Sequence, residues 1–497
     1  MLFVINSSKL YGFKMENEDL IKIGNLEGKT KTHTVTVQIS NLIVGRNDYV
    51  QIEHNDGQSY LLIIKEIWNE KNLVSAIVET VGTMPKTPFT PKSDVYKASE
   101  KLIRETLGII TPEEEGVYFG KLRGYPYDVT LPLKKFGRIF ITGKTGSGKS
   151  YTVGVFIEEF LKKGVPLIIF DRHGEYSSLK VQNSEGSEEF HIEPKSYSEQ
   201  IIEFTDLGIN PGGDVPIELL MISNAKDLIS SQQCTIINLR GIELEIQERL
   251  THEILMKLYN ASVTGEIQPF YCILDEAHLF ASKKKTEVGE TVKLIAQEGR
   301  KFGANLVIVT QKPQLLDTTV RAQAGTWIIH QLTDIRDVDI TIRSSEGLSS
   351  EWDKDISQLE PGEAIITGDV VKQAPLILDI RWRETLHGGS GFNPLDFVSD
   401  ELKETMEARR KRLSEGRSLT QIQEAKRLFE SLTITDSDKS SDLKIKDSKI
   451  QELESIIKEL ENSNKELVKR LKDEIRHKEN AIRTAEKALN QLKKHRR

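Results

Sequence analysis

Alternation of hydrophobic and polar positions with a period of two dominates residues 1–85. The clearest alternating runs are Thr34–Ile39, Tyr49–Ile52, Tyr60–Ile64 and Leu73–Val78. Such alternation is typical of strands that bury one face. The breaks at Gly45–Asp48 and Asn55–Gly57 supply Gly, Asn and Asp, which tolerate the backbone angles of tight turns. We therefore predict a small β-barrel over residues 1–85.

The pattern changes after a stretch rich in Pro and Lys, Met84–Ser93, to continuous apolar runs separated by amphipathic segments. The runs are Ile139–Thr142, Val165–Phe170, Thr235–Leu239, Phe270–Leu274, Leu306–Val309 and Thr326–Ile329, with a last pair at Glu363–Thr367 and Pro375–Ile380. Continuous apolar runs indicate strands that helices cover on both faces. The sequence thus predicts an α/β fold with a mostly parallel sheet over 136–395, preceded by a linker and leading strands over 86–135.

The C-terminal region is charged and has a helical pattern. We predict a helical region over 396–432, then a break rich in Ser, Asp and Lys at Thr433–Asp442 and a second long helix. The apolar seam of that helix runs through Ile450, Leu453, Ile457, Leu460, Asn464, Leu467, Leu471, Ile475, Ile482, Ala485, Leu489 and Leu492. This heptad repeat with one stutter predicts a linker and coiled coil over 433–497. A solvated helix held by charge pairs is the alternative interpretation.

Length and composition favour a multidomain intracellular protein. The chain has 497 residues, of which 38% are hydrophobic and 29% charged, and a chain of this length exceeds what one core usually organises. No apolar stretch approaches the ~18 residues of a membrane span, so we expect a cytoplasmic protein with no membrane partner. Cys234 and Cys272 lie in apolar runs, which leaves no disulfide framework. The net charge of -7 argues against a uniformly basic surface but not against a local basic channel.

The segment Gly143–Ser150 is the strongest chemical motif in the chain. Its sequence, GKTGSGKS, fits G-x-x-x-x-G-K-[ST] and lies between a predicted strand and a predicted helix. The expected nucleotide-binding residues are Gly143, Lys144, Thr145, Gly146, Ser147, Gly148, Lys149, Ser150 and Tyr151. Backbone N–H groups of such a loop face phosphate oxygens, Lys149 neutralises the β- and γ-phosphates, and Ser150 ligates Mg²⁺. ATP and Mg²⁺ are therefore the predicted cofactors.

Two acids, Asp275 and Glu276, follow another predicted strand, where parallel sheets place their ligand sites. We expect Asp275 to join Ser150 in holding Mg²⁺ and Glu276 to polarise the attacking water. The alternative is that the two acids only cap the next helix. His278 has two interpretations, namely coupling of the site to DNA or a neighbouring subunit, and a structural hydrogen bond.

Two further residues are candidates for catalysis. Gln311 ends the next apolar run, where a side-chain amide senses γ-phosphate and orients water; an ordinary polar strand end is the alternative. Arg300 precedes that run and is a candidate arginine finger for a neighbouring subunit. Its rivals are Arg321, Arg336 and Arg343. From the residues alone, each arginine fits a solvated surface position equally well.

Five ordered segments together resemble the HerA family of hexameric DNA translocases, within the HerA/FtsK branch of P-loop ATPases. Besides the P-loop, they are Asp171–Tyr176 (DRHGEY), Asp275–His278 (DEAH), Glu298–Gly303 (EGRKFG) and Val309–Pro313 (VTQKP). The resemblance covers roughly residues 1–385, because the N-terminal strands look like the small HAS-type barrel of that family. It implies a RecA-like core, Arg300 as a finger acting in trans, Gln311 as the sensor and Glu276 as the base.

The same resemblance implies a homohexameric ring that moves along double-stranded DNA without sequence preference. HerA-like motors act with an effector, and the expected partner is a NurA-like nuclease or a sirtuin-like or nuclease subunit of antiphage defence. The chain departs from the family pattern at Arg172, which replaces Pro, and at Lys312, which replaces Arg. No motif reaches residues 176–230, and the family's C-terminal region does not match Glu401–Arg497.

Other functions are also compatible with the motifs. One is a ring scaffold in which ATP hydrolysis assembles and gates an effector with little movement on DNA. Another is a protein-remodelling ATPase, although the matched motifs are not those of that branch. DNA stimulation of ATP hydrolysis separates the translocase from the scaffold. Because no nuclease carboxylate cluster stands out beyond the ATP site, the chain alone is not expected to cut DNA.

Overall fold

The computed structural model describes residues 20–372 and 374–388. The helical region expected over 396–432 and the linker and coiled coil expected over 433–497 lie outside the described residues. The described part contains a closed barrel and a twelve-stranded sheet. None of the helices in this part combines the length and the apolar character needed to cross a bilayer.

The closed barrel occupies the N-terminal part of the described chain. Its strands are β1 (Lys22–Glu27), β2 (Thr34–Ile39), β3 (Tyr49–Glu53), β4 (Ser59–Glu70), β5 (Leu73–Thr80) and β6 (Asp94–Lys97). They pair antiparallel in the order β1-β2-β5-β4-β3-β6, and β6 closes the barrel by pairing with both β1 and β3. Burial alternates along β2, as the period-two pattern predicts. The closing strand lies after Met84–Ser93, so the barrel continues beyond residue 85.

The large sheet follows the barrel. Its strands are β7 (Gly116–Leu122), β8 (Asp128–Pro132), β9 (Ile139–Thr142), β10 (Leu167–Asp171), β11 (Ile201–Thr205), β12 (Val215–Pro216), β13 (Cys234–Asn238), β14 (Phe270–Leu274), β15 (Ala304–Thr310), β16 (Thr326–Ile329), β17 (Glu363–Gly368) and β18 (Leu376–Ile380). They are ordered β12-β11-β13-β10-β14-β15-β9-β16-β17-β18-β7-β8. Each apolar run predicted as a strand forms one of them.

The sheet is mixed rather than parallel throughout. From β12 to β16 all neighbours are parallel, whereas β16, β17, β18, β7 and β8 pair antiparallel. The connections between β17 and β18 and between β7 and β8 are short, so these two pairs must be antiparallel, because a parallel pair needs a long crossover. Strands β7 and β8 come from the stretch expected to hold the linker and leading strands.

Helices cover both faces of the parallel part. The helices are α1 (Glu100–Leu107), α2 (Lys149–Lys162), α3 (Ala225–Leu228), α4 (Leu244–Val263), α5 (Glu287–Glu298), α6 (Thr318–Ala322), α7 (Ile335–Ser344) and α8 (Trp352–Gln358). Helix α2 packs into the core on one face, and α4 and α5 pack into the core on the other. In β9, Ile139 and Ile141 face the first core and Phe140 the second. Cys234 and Cys272 are free and buried, as expected.

The order of the central strands determines where the functional side chains meet. Strands β10, β14, β15 and β9 are consecutive neighbours and parallel. Their carboxyl ends therefore lie at one edge of the sheet, and the segments after them contain the DRHGEY, DEAH, VTQKP and P-loop motifs. This edge is where open parallel sheets bind ligands.

Candidate nucleotide site

The loop Gly143–Gly148 connects β9 to the first residue of α2, Lys149. Gly146 and Gly148 have φ angles of +76° and +108°, which glycine adopts without steric cost. A Cβ atom at Gly143 would lie 2.6 Å from Cβ of His330, so this position also excludes a side chain. The loop leads directly into a helix N-terminus with free N–H groups, which is an arrangement that binds phosphate.

Lys149 lies buried against this loop. Its Nζ donates a hydrogen bond to the Lys144 carbonyl at 2.9 Å, and the Ser147 hydroxyl donates to the same carbonyl at 2.7 Å. Burial lowers the pKa of Lys149, although the negative charges of Glu276 and Asp275 oppose this effect. The ammonium group therefore lies among carboxylates at the base of the loop, where phosphate charge also gathers in P-loop sites.

Asp275 is buried at the end of β14. Burial raises the pKa of its carboxyl well above the ordinary range, and the nearby charges of Asp171, Glu276 and Glu175 raise it further. Such crowding of negative charge is favourable only where cations share the site. Asp275 and Ser150 line the same cleft as Lys149.

Glu276 has a φ angle of +47°, an uncommon left-handed conformation for a residue with a side chain. Its Oε2 lies 3.1 Å from Nδ1 of His278. Burial alone would raise the pKa of Glu276, but His278, Lys149 and His173 together lower it below its ordinary value. The side chain is thus held as a carboxylate that lines the cleft, which is the charge state that a general base requires.

Gln311 follows β15 and reaches the P-loop. The hydroxyl of Thr145 donates a hydrogen bond to its Oε1 at 2.6 Å. This contact joins the ends of two neighbouring strands directly above the phosphate-binding loop. The Gln311 amide group therefore lies against the P-loop.

The segment after β10 contributes side chains to which the sequence assigned no role. Asp171 is buried, and its carboxylate accepts backbone N–H hydrogen bonds from Gly174 at 2.8 Å and Tyr176 at 3.0 Å. Burial raises the pKa of Asp171 to about 6, and these backbone hydrogen bonds oppose that rise. The turn that Asp171 fixes brings His173 and Glu175 into the cleft. The DRHGEY resemblance was the signal that marked this segment.

The cleft has a volume of about 970 Å³, and its outer wall comes from the segment after β18. Trp382 and His387 line this wall together with Tyr151. The rings of Tyr151 and His387 are 5.3 Å apart, edge to face. The Tyr151 hydroxyl also accepts a hydrogen bond from the backbone N–H of Arg383 at 2.8 Å. The sequence marked Tyr151 as a nucleotide contact but not the residues that surround it.

Arg300 does not line this cleft. It lies before β15, whereas Gln311 lies after it, and the seven residues of β15 separate its ends by roughly 20 Å. Its side chain is exposed and has no hydrogen-bond or ion-pair partner among the described residues. The geometry therefore separates Arg300 from the nucleotide site of its own chain.

The rival arginines differ from Arg300. Arg321 is buried and donates a hydrogen bond to the Pro313 carbonyl at 3.0 Å, so its guanidinium supports a loop. Arg336 and Arg343 are exposed on α7, where they pair with Asp334 and Asp339 respectively.

The oxygen-bearing side chains of the cleft suit Mg²⁺ bound together with a nucleotide better than a metal ion held by protein ligands alone. No cluster of three or more His, Cys, Asp or Glu side chains that would hold a metal ion occurs in residues 20–372 and 374–388. Mg²⁺ in nucleotide sites needs only one or two protein oxygens, because phosphates and waters supply the rest. Ser150 and Asp275 offer a hydroxyl and a carboxylate within one cleft, and a divalent cation would offset the crowded negative charge around Asp275.

Comparison with known proteins finds sequence similarity to HerA helicases. The family model "Helicase HerA, central domain" matches residues 117–219, which include the P-loop. The DNA double-strand break repair helicase HerA of Saccharolobus solfataricus is 26% identical over 345 residues, covering 54% of this chain and 69% of that protein. The probable DNA double-strand break repair helicase HerA of Methanocaldococcus jannaschii is 24% identical over 494 residues, covering 73% of this chain and 96% of that protein.

A solved structure, VirB4 of Thermoanaerobacter pseudethanolicus, covers 55% of this chain and 97% of that chain, at 14% identity and a TM-score of 0.38.

Proposed function

We propose that the chain is a member of the HerA family of P-loop ATPases and that this ATP-hydrolysing enzyme moves along double-stranded DNA. One observation carries the proposal. The P-loop, Asp275, Glu276 and Gln311 meet at the carboxyl edge of the sheet, whereas Arg300 lies free at the opposite edge. This arrangement suits a motor whose active sites are completed between subunits.

Each residue of the cleft has a specific role in this proposal. The P-loop N–H groups and Lys149 bind the β- and γ-phosphates, and Ser150 and Asp275 hold Mg²⁺, which would stabilise negative charge on the phosphates. Glu276 accepts a proton from the attacking water, and Gln311 orients that water and contacts the γ-phosphate. The Trp382 and His387 wall limits the space beside the nucleotide.

We propose that Arg300 is supplied in trans. Because it is exposed and separated from its own cleft by the length of β15, it is available to stabilise transition-state charge on a neighbouring subunit's nucleotide. Head-to-tail contacts of this kind close into a ring when the rotation allows it. A homohexamer with a RecA-like core in each subunit is the proposed assembly.

Double-stranded DNA is the proposed track, and its backbone phosphates are the expected points of contact. The relatives are named as repair helicases, which favours DNA over a protein substrate. We further propose a cytoplasmic location and an effector partner, either a NurA-like nuclease or a sirtuin-like or nuclease subunit of antiphage defence. In both cases the ring would deliver DNA to a partner that carries out the chemistry on it.

The second candidate function is a ring scaffold that assembles and gates an effector with little movement on DNA. The strong link between Thr145 and Gln311 serves either function, because both require the loop to respond to γ-phosphate. The two functions differ in whether DNA accelerates hydrolysis.

The test is steady-state ATP hydrolysis by the full chain, with and without linear duplex DNA, across a salt titration. For a translocase we expect duplex DNA to stimulate hydrolysis and salt to remove the stimulation. Glu276→Gln removes the base while keeping the shape of the side chain, so hydrolysis should fall by about 10² to 10⁴-fold.

A matched control is Glu245→Gln, which makes the same change on the exposed face of α4 and should leave hydrolysis unchanged. Hydrolysis that depends on Glu276 but ignores DNA at every salt concentration would exclude the translocase and favour the scaffold.

A further inference from the structure

Four exposed lysines lie in the two loops that follow β14 and β15. Lys283, Lys284 and Lys285 are consecutive in the loop between β14 and α5, and Lys312 lies in the loop after β15. We call these four residues the lysine surface. All four side chains are exposed, and none has an ion-pair partner within residues 20–372 and 374–388. The chain has a net charge of -7, yet three of these lysines are consecutive, so positive charge is concentrated in one loop.

The two loops that carry these lysines are fastened to each other. Ser282 and Leu316 form an antiparallel bridge, and the backbone N–H of Asp317 donates to the Ala281 carbonyl at 2.9 Å. Lys293 of α5 also pairs with the Asp317 carboxylate at 3.2 Å. Backbone contacts therefore hold the two loops together.

A short chain of polar contacts connects the lysine surface to the expected base. Nδ1 of His278 lies 3.1 Å from the Glu276 carboxylate and 3.2 Å from the Thr310 hydroxyl oxygen. That hydroxyl oxygen accepts a hydrogen bond from the backbone N–H of Lys312 at 3.0 Å. Thr310 is fully buried, so water does not replace these contacts readily. Polar contacts through Thr310 and His278 therefore lead from the backbone at Lys312 to Glu276.

We propose that the lysine surface binds backbone phosphates of double-stranded DNA and that Thr310 and His278 transmit this contact to Glu276. The inference rests on the proposed function, and it assigns the DNA contact and its coupling to specific residues. Unpaired ammonium groups in a loop suit phosphates that pass in succession, because they bind as point charges without base recognition. Thr310 and His278 are positioning residues in this scheme.

The binding test removes three of the charges together with Lys283→Gln, Lys284→Gln and Lys285→Gln. Binding of a fluorescent 40-base-pair duplex is measured across a salt series. Each phosphate contact contributes about 0.9 to the slope of log affinity against log salt concentration, so the slope should become shallower by about 2 to 3. The control replaces Lys29, Lys31 and Lys86, which are exposed on or near the barrel, and should keep the wild-type slope.

The coupling test compares Thr310→Val with Thr310→Ser. Valine has nearly the same shape but no hydroxyl, whereas serine keeps the oxygen that contacts His278 and the Lys312 N–H. Thr310→Val should bind duplex with the wild-type salt slope while losing most of its DNA stimulation, measured relative to its own DNA-free rate. Thr310→Ser should recover that stimulation.

The outcomes separate the two levels of the proposal. Wild-type protein that neither binds duplex nor hydrolyses ATP faster with it would remove the proposed function. If the wild-type protein binds duplex and hydrolyses ATP faster with it, but the triple-lysine variant keeps the wild-type salt slope, the lysine surface is not the DNA contact. Equal stimulation in the Val and Ser variants of Thr310 would overturn the coupling path.

Discussion

His330 shows how one buried side chain beside the P-loop makes stability depend on pH. The imidazole is fully buried at the end of β16, and its Nδ1 is 2.8 Å from the Glu363 carbonyl, so Nδ1 carries the proton and donates. Burial lowers its pKa to about 4, and the nearby charge of Lys149 adds to this effect. His330 is therefore neutral in the folded protein at pH 7.

This depressed pKa predicts a loss of stability in mild acid. In the unfolded chain the histidine protonates near its ordinary pKa of about 6.5, so between pH 6.5 and pH 4 the unfolded state binds more protons. Stability is full above pH 6.5 and falls as the pH approaches 4. The loss between pH 8 and pH 5 should be about 2 kcal/mol from this group.

Urea unfolding of wild type and His330→Gln at pH 8 and pH 5 measures the effect. The variant should be less stable at pH 8 because the site is tightly packed, but its loss on acidification should be smaller by about 2 kcal/mol. His33→Gln removes an exposed histidine of the barrel and should retain the wild-type loss. An equal loss in wild type and His330→Gln would contradict the assignment.

At the scale of elements, much of the sheet follows from hydrophobic pattern alone. Strands β9, β14 and β16 have the predicted boundaries, because every residue in them is buried between two helical layers. The motifs after β9 and β14 were also identifiable, since their backbone chemistry requires particular residues at fixed spacing. Pattern therefore identified the elements that form the phosphate end of the cleft.

Strand β11 was not predicted because a charged residue in the middle of the strand interrupts its apolar run. Glu203 is almost fully buried, yet its carboxylate accepts hydrogen bonds from Ser177 at 2.6 Å, Asn238 at 2.8 Å and Lys180 at 2.9 Å. These partners come from distant parts of the chain and satisfy the charge. A single sequence shows only the interruption of the apolar run and not the groups that compensate for it.

The segment after β18 was missed for the same reason. Arginines are mostly exposed in proteins, but the guanidinium groups of Arg381 and Arg383 are both buried. Arg381 pairs with Glu158 at 3.0 Å and with Glu159 at 2.9 Å, both on α2. This network holds the segment across α2, and Trp382 and His387 reach the nucleotide cleft as a result.

This network predicts a large effect from removing one charge. Arg381→Met leaves two buried carboxylates without their main partner, and breaking a buried pair in this way costs about 3 to 5 kcal/mol. Thermal and urea unfolding should show this loss, and the Michaelis constant for ATP should rise because the cleft wall is no longer held. Arg249→Met breaks an exposed pair on α4 and should change stability by less than about 0.5 kcal/mol. Comparable losses in the two variants would show that the network does not hold the wall.

At the scale of the whole molecule, the separation of Arg300 from its own cleft is the feature with the clearest consequence. The sequence predicts that Arg300 precedes a strand and that Gln311 follows it. The structure shows that this strand, β15, is parallel to β14 and β9, so the two residues lie at opposite edges of the sheet. Arg138 lies close enough to Arg300 for the two charges to repel, and its guanidinium donates to the Ala296 carbonyl. Arg300 is therefore the member of this pair with a free guanidinium.

Co-expression of two inactive variants tests whether Arg300 acts in trans. Glu276→Gln lacks the proposed base, and Arg300→Ala lacks the proposed finger, so each alone should hydrolyse ATP poorly. An Arg300→Ala subunit keeps Glu276 in its cleft, and a Glu276→Gln subunit keeps Arg300. In a mixed ring, an interface that brings this cleft and this arginine together has both groups and is intact. Random assembly from equal amounts makes roughly a quarter of the interfaces intact in a closed ring.

Hydrolysis by the co-expressed mixture should therefore rise to roughly a quarter of the wild-type rate if the sites act independently. Mixing the two proteins after separate assembly provides the control, because subunits that do not exchange should remain inactive. If Arg300 served its own cleft, every subunit of the mixture would lack one required group, and the co-expressed protein would be as inactive as its parents. Recovery of hydrolysis requires Arg300 to cross between subunits, which a monomeric ATPase does not allow.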